Sequence, residues 1–249
     1  MRLSFDGPVL LLGGGCTLGR AVAATLREEG AEVLAVCGGE AGQRACAGAD
    51  IPVEPLGEAE SLPRRCAERL GGRLPGHMLD LRHSRRESLL AGMPPEDIDA
   101  WAAEDIALRA RILRAVTRAM LSRRSGRCVF VSSSAALRSS PGQGWYAAAK
   151  LAGEALYRSA GAELAGRGVT ACSARLSWLD AGRGRDFLAD EEVARRAACA
   201  MPSGRLLRLE EAVRPLVFLL SREASGINAC TVDIDGGLGA VKQMEGTCP

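Results

Sequence analysis

Short, wholly apolar runs alternate along this chain with longer stretches of helical period. Pro8 to Leu12 is apolar throughout, as a strand buried on both faces requires, and it leads through Gly13 and Gly19 into a helical segment, Arg20 to Glu29, closed by Gly30. Ala31 to Cys37 predicts a second strand, Gln43 to Ala47 a short helix, Ile51 to Val53 a third strand, Ser61 to Leu70 a helix and His77 to Leu81 a fourth strand. Pro94-Pro95-Glu96-Asp97 opens a long helix to about Ser122, with proline and acid where a helix amino terminus favours them. Cys128 to Ser132, Val169 to Leu176 and Thr231 to Ile234 complete the strands, and Trp145 to Arg167 and Glu210 to Ser221 the helices. The alternation predicts an α/β fold: a doubly wound parallel sheet of about seven strands, helices on both faces, ligands at the carboxyl ends of the strands. Residues 1–249 are expected to form one domain, and the irregular stretch Ser177 to Leu209 is placed to act as a lid.

Composition narrows the partners. A net charge of +2 from 32 basic and 30 acidic residues provides no basic field for nucleic acid or anionic membrane. The start, Met1 to Pro8, has no apolar leader and no stretch reaches transmembrane length, so a cytoplasmic protein is expected. Nine cysteines without a CxxC pair, and only two histidines, lack zinc-type spacing. No metal is expected, and the cysteines read as small hydrophobes.

The most informative local pattern is Tyr146-Ala-Ala-Ala-Lys150, with Ser133 thirteen residues upstream of Tyr146 at the end of a strand. On a helix the i,i+4 spacing puts phenol and ammonium on one face, and a strand-terminal Ser133 can meet them. A phenol with a reference pKa of about 10 does proton chemistry at neutral pH only when a cation stabilises its phenolate, and Lys150 is placed to do so.

With these residues goes a glycine turn, Gly13 to Gly19, after the first strand, the segments Met201-Pro-Ser-Gly204-Arg205-Leu and Glu210 to Ser221, and Asp233-Ile-Asp235-Gly236-Gly237. In this order and spacing the chain resembles the short-chain dehydrogenase/reductase family, and within it the 3-oxoacyl-acyl-carrier-protein reductases, over essentially its whole length. The resemblance implies a Rossmann-like fold and hydride transfer between NAD(P)H and a carbonyl or alcohol. Tyr146 would act as general acid, Ser133 would hydrogen-bond the carbonyl oxygen, and Lys150 would lower the Tyr146 pKa and hold the nicotinamide ribose. Gly13, Gly15, Cys16, Thr17, Leu18, Gly19, Cys37 and Gly38 would line the cofactor site together with Lys150. Ser132 and Ser134 are the alternatives to Ser133.

The chain also departs from the family. Thr17 stands where a glycine lets backbone approach the pyrophosphate, and Cys37-Gly38-Gly39 replaces the acidic residue that selects NAD. Small residues there point to NADP, with Arg20 and Arg44 as candidate partners of the 2′-phosphate. Asn228 is the only asparagine, so the family's Asn-Asn-Ala-Gly becomes Asp80-Leu81-Arg82-His83, the asparagine of the long helix falls among Ala107, Leu108 and Arg109, and that of the sixth strand becomes Cys172. Proton resupply would then rest on Asp80, His83 or bulk water. Leu176-Ser177 replaces a Pro-Gly that shapes the nicotinamide pocket. Arg82, His83, Arg85 and Arg86 read as an anion contact or as a solvated loop, and Trp145, Trp178, Phe187 and Met201 as an acyl pocket or as the core of a lid.

The reading is an NAD(P)H-dependent reductase of a 3-oxoacyl or polyketide-like substrate, free or bound to a carrier protein. The alternatives are a non-catalytic or weakly active paralogue serving an active reductase, and non-redox acid-base chemistry such as dehydration. Apolar residues on more than one face of the helices at Asp97 to Ser122 and Lys150 to Arg167 predict a homotetramer or homodimer, or a heteromer with a paralogue.

Overall fold

Alternate residues of the apolar runs face opposite sides of a single sheet, and helices cover both sides. In this computed structural model, which describes residues 2–84, 88–182, 184–185 and 188–240, seven parallel strands lie in the order β3-β2-β1-β4-β5-β6-β7. They are β1 (Val9–Leu12), β2 (Val33–Cys37), β3 (Val53–Pro55), β4 (His77–Asp80), β5 (Gly126–Ser133), β6 (Val169–Leu176) and β7 (Thr231–Ile234). Val9 and Leu11 point to the face covered by α1 (Thr17–Glu28) and by a late helix, Leu209–Leu220, whereas Leu10 and Leu12 face α3 (Leu62–Arg69) and the two longest helices. The short helix α2 (Glu40–Ala47) follows β2 and adds Cys46 to the α1 side. The chain passes from β1 to β2 on one side and later to β4 on the other, so β1 and β4 flank the point where the winding reverses.

Sequence periodicity predicts these elements well, with four corrections, the first being that the third strand, expected at Ile51 to Val53, runs from Val53 to Pro55. The long helix is not continuous: α4 (Pro95–Trp101) passes through one wide π turn (Ala102–Ala107), where the Leu108 amide reaches back to the Ala103 carbonyl, into α5 (Leu108–Arg123). The turn at Gly13 to Gly19 is already helical from Thr17. The stretch expected to be irregular contains helix α7 (Glu191–Ala200), capped by the Asp190 carboxylate, which accepts from the amides of Glu192 at 2.9 Å and Val193 at 3.1 Å. The late helix is α8 (Leu209–Leu220).

The helix α6 (Gly144–Leu164) lies unusually close to the sheet. A Cβ on Gly153 would overlap the Phe130 ring of β5, and one on Gly161 would overlap the Ala171 carbonyl and the Asn228 side chain. Asn228 in turn donates to the Gly161 carbonyl at 2.9 Å and accepts from the Ala171 amide at 2.9 Å, tying α6 to β6. Seven cysteines are free thiols among the described residues. Burial pushes Cys66 and Cys128 up to about 12 and Cys172 up to about 11, so at neutral pH they pack as thiols. No helix among the described residues is long and apolar enough to cross a membrane.

Replacing Gly153 by alanine should lower stability by about 1–3 kcal/mol, the usual cost of overpacking. Urea denaturation measures this; an unchanged midpoint would show that α6 can retreat from Phe130 without loss.

Candidate active site and cofactor cleft

The three residues expected to act together lie at the end of β5 and the start of α6, and two of them, Tyr146 and Lys150, meet there. Ser133 closes β5, Tyr146 lies in the first turn of α6, and Lys150 lies one turn further on. Lys150 is 2% exposed. Its Nζ donates to the Val131 carbonyl at 2.7 Å and sits 5.0 Å from the centroid of Phe130 and 5.4 Å from that of Tyr146. Lys150 thereby links the phenol of α6 to the end of the strand that carries Ser133. The neighbouring serine is otherwise engaged, because Ser132 Oγ donates to the buried carboxylate of Glu154. Glu154 also receives Arg175 through two bonds of 2.9 and 2.6 Å, and Arg175 reaches Asp233 at 3.0 Å. Ser133 Oγ accepts from the Ala135 amide at 3.2 Å, which leaves its O–H to donate elsewhere.

Beneath this group lies a buried charge cluster, of which Asp80 was expected and Asp105 was not. Arg109 is 1% exposed and its Nε donates to Asp80 Oδ2 at 3.1 Å. Its two terminal nitrogens donate to the carbonyls of Asp105 and Arg82, the latter at 2.7 Å, and the guanidinium lies 5.0 Å from the Phe130 centroid. Asp80 Oδ1 accepts from the Arg82 amide at 2.9 Å, Asp105 Oδ1 accepts from the Ser84 amide at 2.9 Å, and Tyr157 Oη donates to Asp80 at 3.4 Å. Burial, followed by the Asp80 charge, keeps the Tyr157 phenol well above its ordinary value, so it remains a donor. The two carboxylates and Arg109 thus clamp the backbone from Arg82 to Ser84. That clamp sets His83, whose ring meets Tyr146 edge-on at 5.9 Å.

The asparagine position sought among Ala107, Leu108 and Arg109 is therefore filled differently. The buried polar groups are Asp105, inside the π turn, and Arg109, four residues on. Their i,i+4 spacing was the available sequence signal. Arg85 and Arg86 lie outside the described residues.

The other residues expected to bind the cofactor gather at the carboxyl ends of β1 and β2. Gly13 turns the chain with φ +77°, which favours glycine. Cys16 caps α1, its Sγ accepting from the Gly19 amide at 3.3 Å, and Arg20 donates to the Gly15 carbonyl at 2.8 Å. Thr17 begins α1, and a Cβ on Gly182 would lie 3.2 Å from Thr17 Oγ1. Gly15 packs against the Gly42 backbone, Leu18 packs on the core, and Cys37 turns inward with its sulfur 3.7 Å from that of Cys46. Cys37 thus offers only backbone to a ligand. Gly38 begins the connection to α2, while Arg44, proposed for the 2′-phosphate, pairs with Glu40 at 3.0 Å on an exposed surface. Trp178 and Met201 belong to a small apolar cluster with Leu207 and Leu238, Trp145 stacks edge-on with Trp101 at 5.2 Å, and Phe187 lies outside the described residues.

A dinucleotide fits this cradle. The glycine turn leads into the amino end of a twelve-residue helix, and beside it a guanidinium nitrogen, Arg82 Nη1, is buried without a hydrogen-bond partner among the described residues.

With the site in view, comparison with known proteins decides the family. Residues 78–239 match the family profile described as enoyl-(acyl carrier protein) reductase. The chain belongs to the short-chain dehydrogenase/reductase family. It is 27% identical to the 3-oxoacyl-[acyl-carrier-protein] reductase of Escherichia coli over 245 residues, covering 95% of this chain and 99% of that protein. Levodione reductase superposes with a TM-score of 0.85 at 25% identity, covering 96% of this chain and 99% of that one. A variant of actinorhodin polyketide ketoreductase with NADPH superposes with a TM-score of 0.82 at 22% identity, covering 96% of this chain and 100% of that one. This short-chain dehydrogenase/reductase is by family an NAD(P)-dependent oxidoreductase with a nicotinamide cofactor.

Arg109→Met should cost about 3–5 kcal/mol, because it leaves Asp80 and Asp105 buried without their counter-charge. Denaturant titration measures the loss, and the double variant with Asp80→Asn should recover part of it. A loss under about 1 kcal/mol would show that the cluster is readily hydrated.

Proposed function

We propose that the protein reduces the keto group of a 3-oxoacyl or polyketide-like substrate, free or on a carrier protein, with NADPH. The observation that carries this reading is the buried Lys150, held on the Val131 carbonyl and against the Tyr146 ring at the end of the Ser133 strand. When bound, the nicotinamide supplies the hydride. Ser133 and the Tyr146 hydroxyl hold the carbonyl oxygen, and Tyr146 gives it a proton as negative charge develops there. Lys150 stabilises the charge left on the phenol oxygen. The preference for NADPH rests on Cys37-Gly38-Gly39, which places no carboxylate beside the adenosine ribose. Retention of Ser133, Tyr146 and Lys150 in one assembly favours a working enzyme over an inert paralogue.

Tyr146→Phe should lower turnover of a 3-oxoacyl thioester with NADPH by about 10²–10⁴-fold and leave folding intact. Residual turnover above a tenth of wild type would remove Tyr146 from the acid role. Lys150→Ala should lower both turnover and NADPH affinity.

The assembly expected from the apolar helix faces belongs to the same proposal: α5 and α6 pair with their copies in a dimer or tetramer, Leu151 of α6 being 46% exposed in the lone chain. Light scattering should return a multiple of 26.1 kDa, and a monomer at micromolar concentration would overturn the homo-oligomer.

A further inference from the structure

Arg82 is the residue whose place in the fold exceeds its assigned role. It follows β4 at the point where the winding of the sheet reverses, between the carboxyl ends of β1 and β4, which is where open α/β sheets bind ligands. Its stem lies over the glycine turn, Cγ being 3.5 Å from where a Cβ on Gly13 would stand. Its backbone is fully engaged, the amide donating to Asp80 Oδ1 at 2.9 Å and the carbonyl accepting from Arg109 at 2.7 Å. The head of the side chain is not, because Nη1 is buried with no hydrogen-bond partner among the described residues.

A guanidinium nitrogen withdrawn from water without an acceptor is costly, and few native proteins leave one so. The cheapest remedy is an anion. An anionic partner at this position lies beside Gly13 and the amino end of α1, where the amides and the helix dipole also favour negative charge. The reading further accounts for Thr17: a Cβ at the turn restricts close approach by backbone, and an arginine reaching across from β4 restores a charged, two-pronged donor to the same ligand.

We propose that Arg82 is a cofactor-binding residue that holds the pyrophosphate of the dinucleotide, in place of contacts the altered glycine turn no longer makes. The 2′-phosphate is excluded as its main partner by location, because Arg82 sits at the β1–β4 junction whereas the connection after β2 begins at Gly38, on the far side of β1. This inference rests on the nicotinamide-dependent reading of the site. It differs from that reading in naming which residue carries the phosphate.

The test is equilibrium titration of the full-length protein with NADPH and with NADH, followed by nucleotide fluorescence, at two salt concentrations. Wild type should bind both, more weakly at high salt. Arg82→Gln should weaken both by the same factor, about tenfold to a hundredfold, the worth of a charge-assisted hydrogen bond. Arg82→Lys should recover part of the loss. Equal affinity in wild type and Arg82→Gln would overturn the proposal, and so would a loss confined to NADPH, which would move Arg82 to the 2′-phosphate. Tighter binding by Arg82→Gln would overturn it in the other direction, making the side chain a plug. Failure of wild type to bind either nucleotide would sink the reductase reading itself and Arg82's role with it. The structural uses of Arg82 run through its backbone, so thermal unfolding of Arg82→Gln should match wild type. Should that variant not fold, Arg82→Met keeps the stem over Gly13 and answers the same question with the same expected losses.

Discussion

The close approach of α6 to β5 is the constraint on which the site depends. Gly153 lets the helix backbone descend onto Phe130, and one turn earlier that descent brings the Lys150 ammonium to 2.7 Å from the Val131 carbonyl. A buried ammonium is tolerable only when its donors are used and its charge is shared. Here the carbonyl takes one donor, and the faces of Phe130 and Tyr146 lie within 5.0 and 5.4 Å of the charge. Tyr146 is therefore positioned by the same packing that buries the lysine. A residue with a side chain at position 153 would meet the Phe130 ring and push α6 away from β5, to which Lys150 is bonded.

Phe130 is shared with the second feature, the buried cluster of Asp80, Asp105 and Arg109. Arg109 reaches the ring at the same 5.0 Å centroid distance as Lys150, and Asp80 pairs in register with Phe130 across β4 and β5. Where this family resemblance leads one to expect neutral amides, the chain uses two carboxylates that share one guanidinium and clamp the loop after β4. Charged groups in such a place cost more to bury than amides but fix the loop more rigidly once paired. The consequence is positional: Arg82 is directed over Gly13 and His83 against Tyr146, so the substitutions at the former asparagine positions and the substitutions in the loop form one unit.

Much of this was legible from residue order. The limits of β6 and β7 coincide with those expected, Val169 to Leu176 and Thr231 to Ile234, and β1, buried at every residue, leaves the unbroken apolar signal VLLL. The 146/150 spacing brought phenol and ammonium onto one face because a first helical turn admits little freedom. The helix Glu191–Ala200 was overlooked although Asp190-Glu191-Glu192 carries a capping aspartate and an acidic first turn; its apolar face is short and Ala-rich, so periodicity was faint. Asp105 was not expected because the family's asparagine aligns with Ala107, Leu108 and Arg109, and burial of an aspartate just before them depends on the π turn.

The sequence alone determined the doubly wound parallel sheet, which follows from local period, and the family, which follows from several motifs in the right order and spacing. Only the tertiary structure decided that Arg109 is buried rather than solvated, that Ser132 belongs to Glu154, that Leu18 and Cys37 face the core and that Arg82 lies over Gly13. Those facts depend on which side chains from distant strands and helices meet, and on whether a charge finds its counter-charge when water is excluded. No local pattern carries that information, since the same arginine reads identically in sequence whether it ends in solvent or in a cleft.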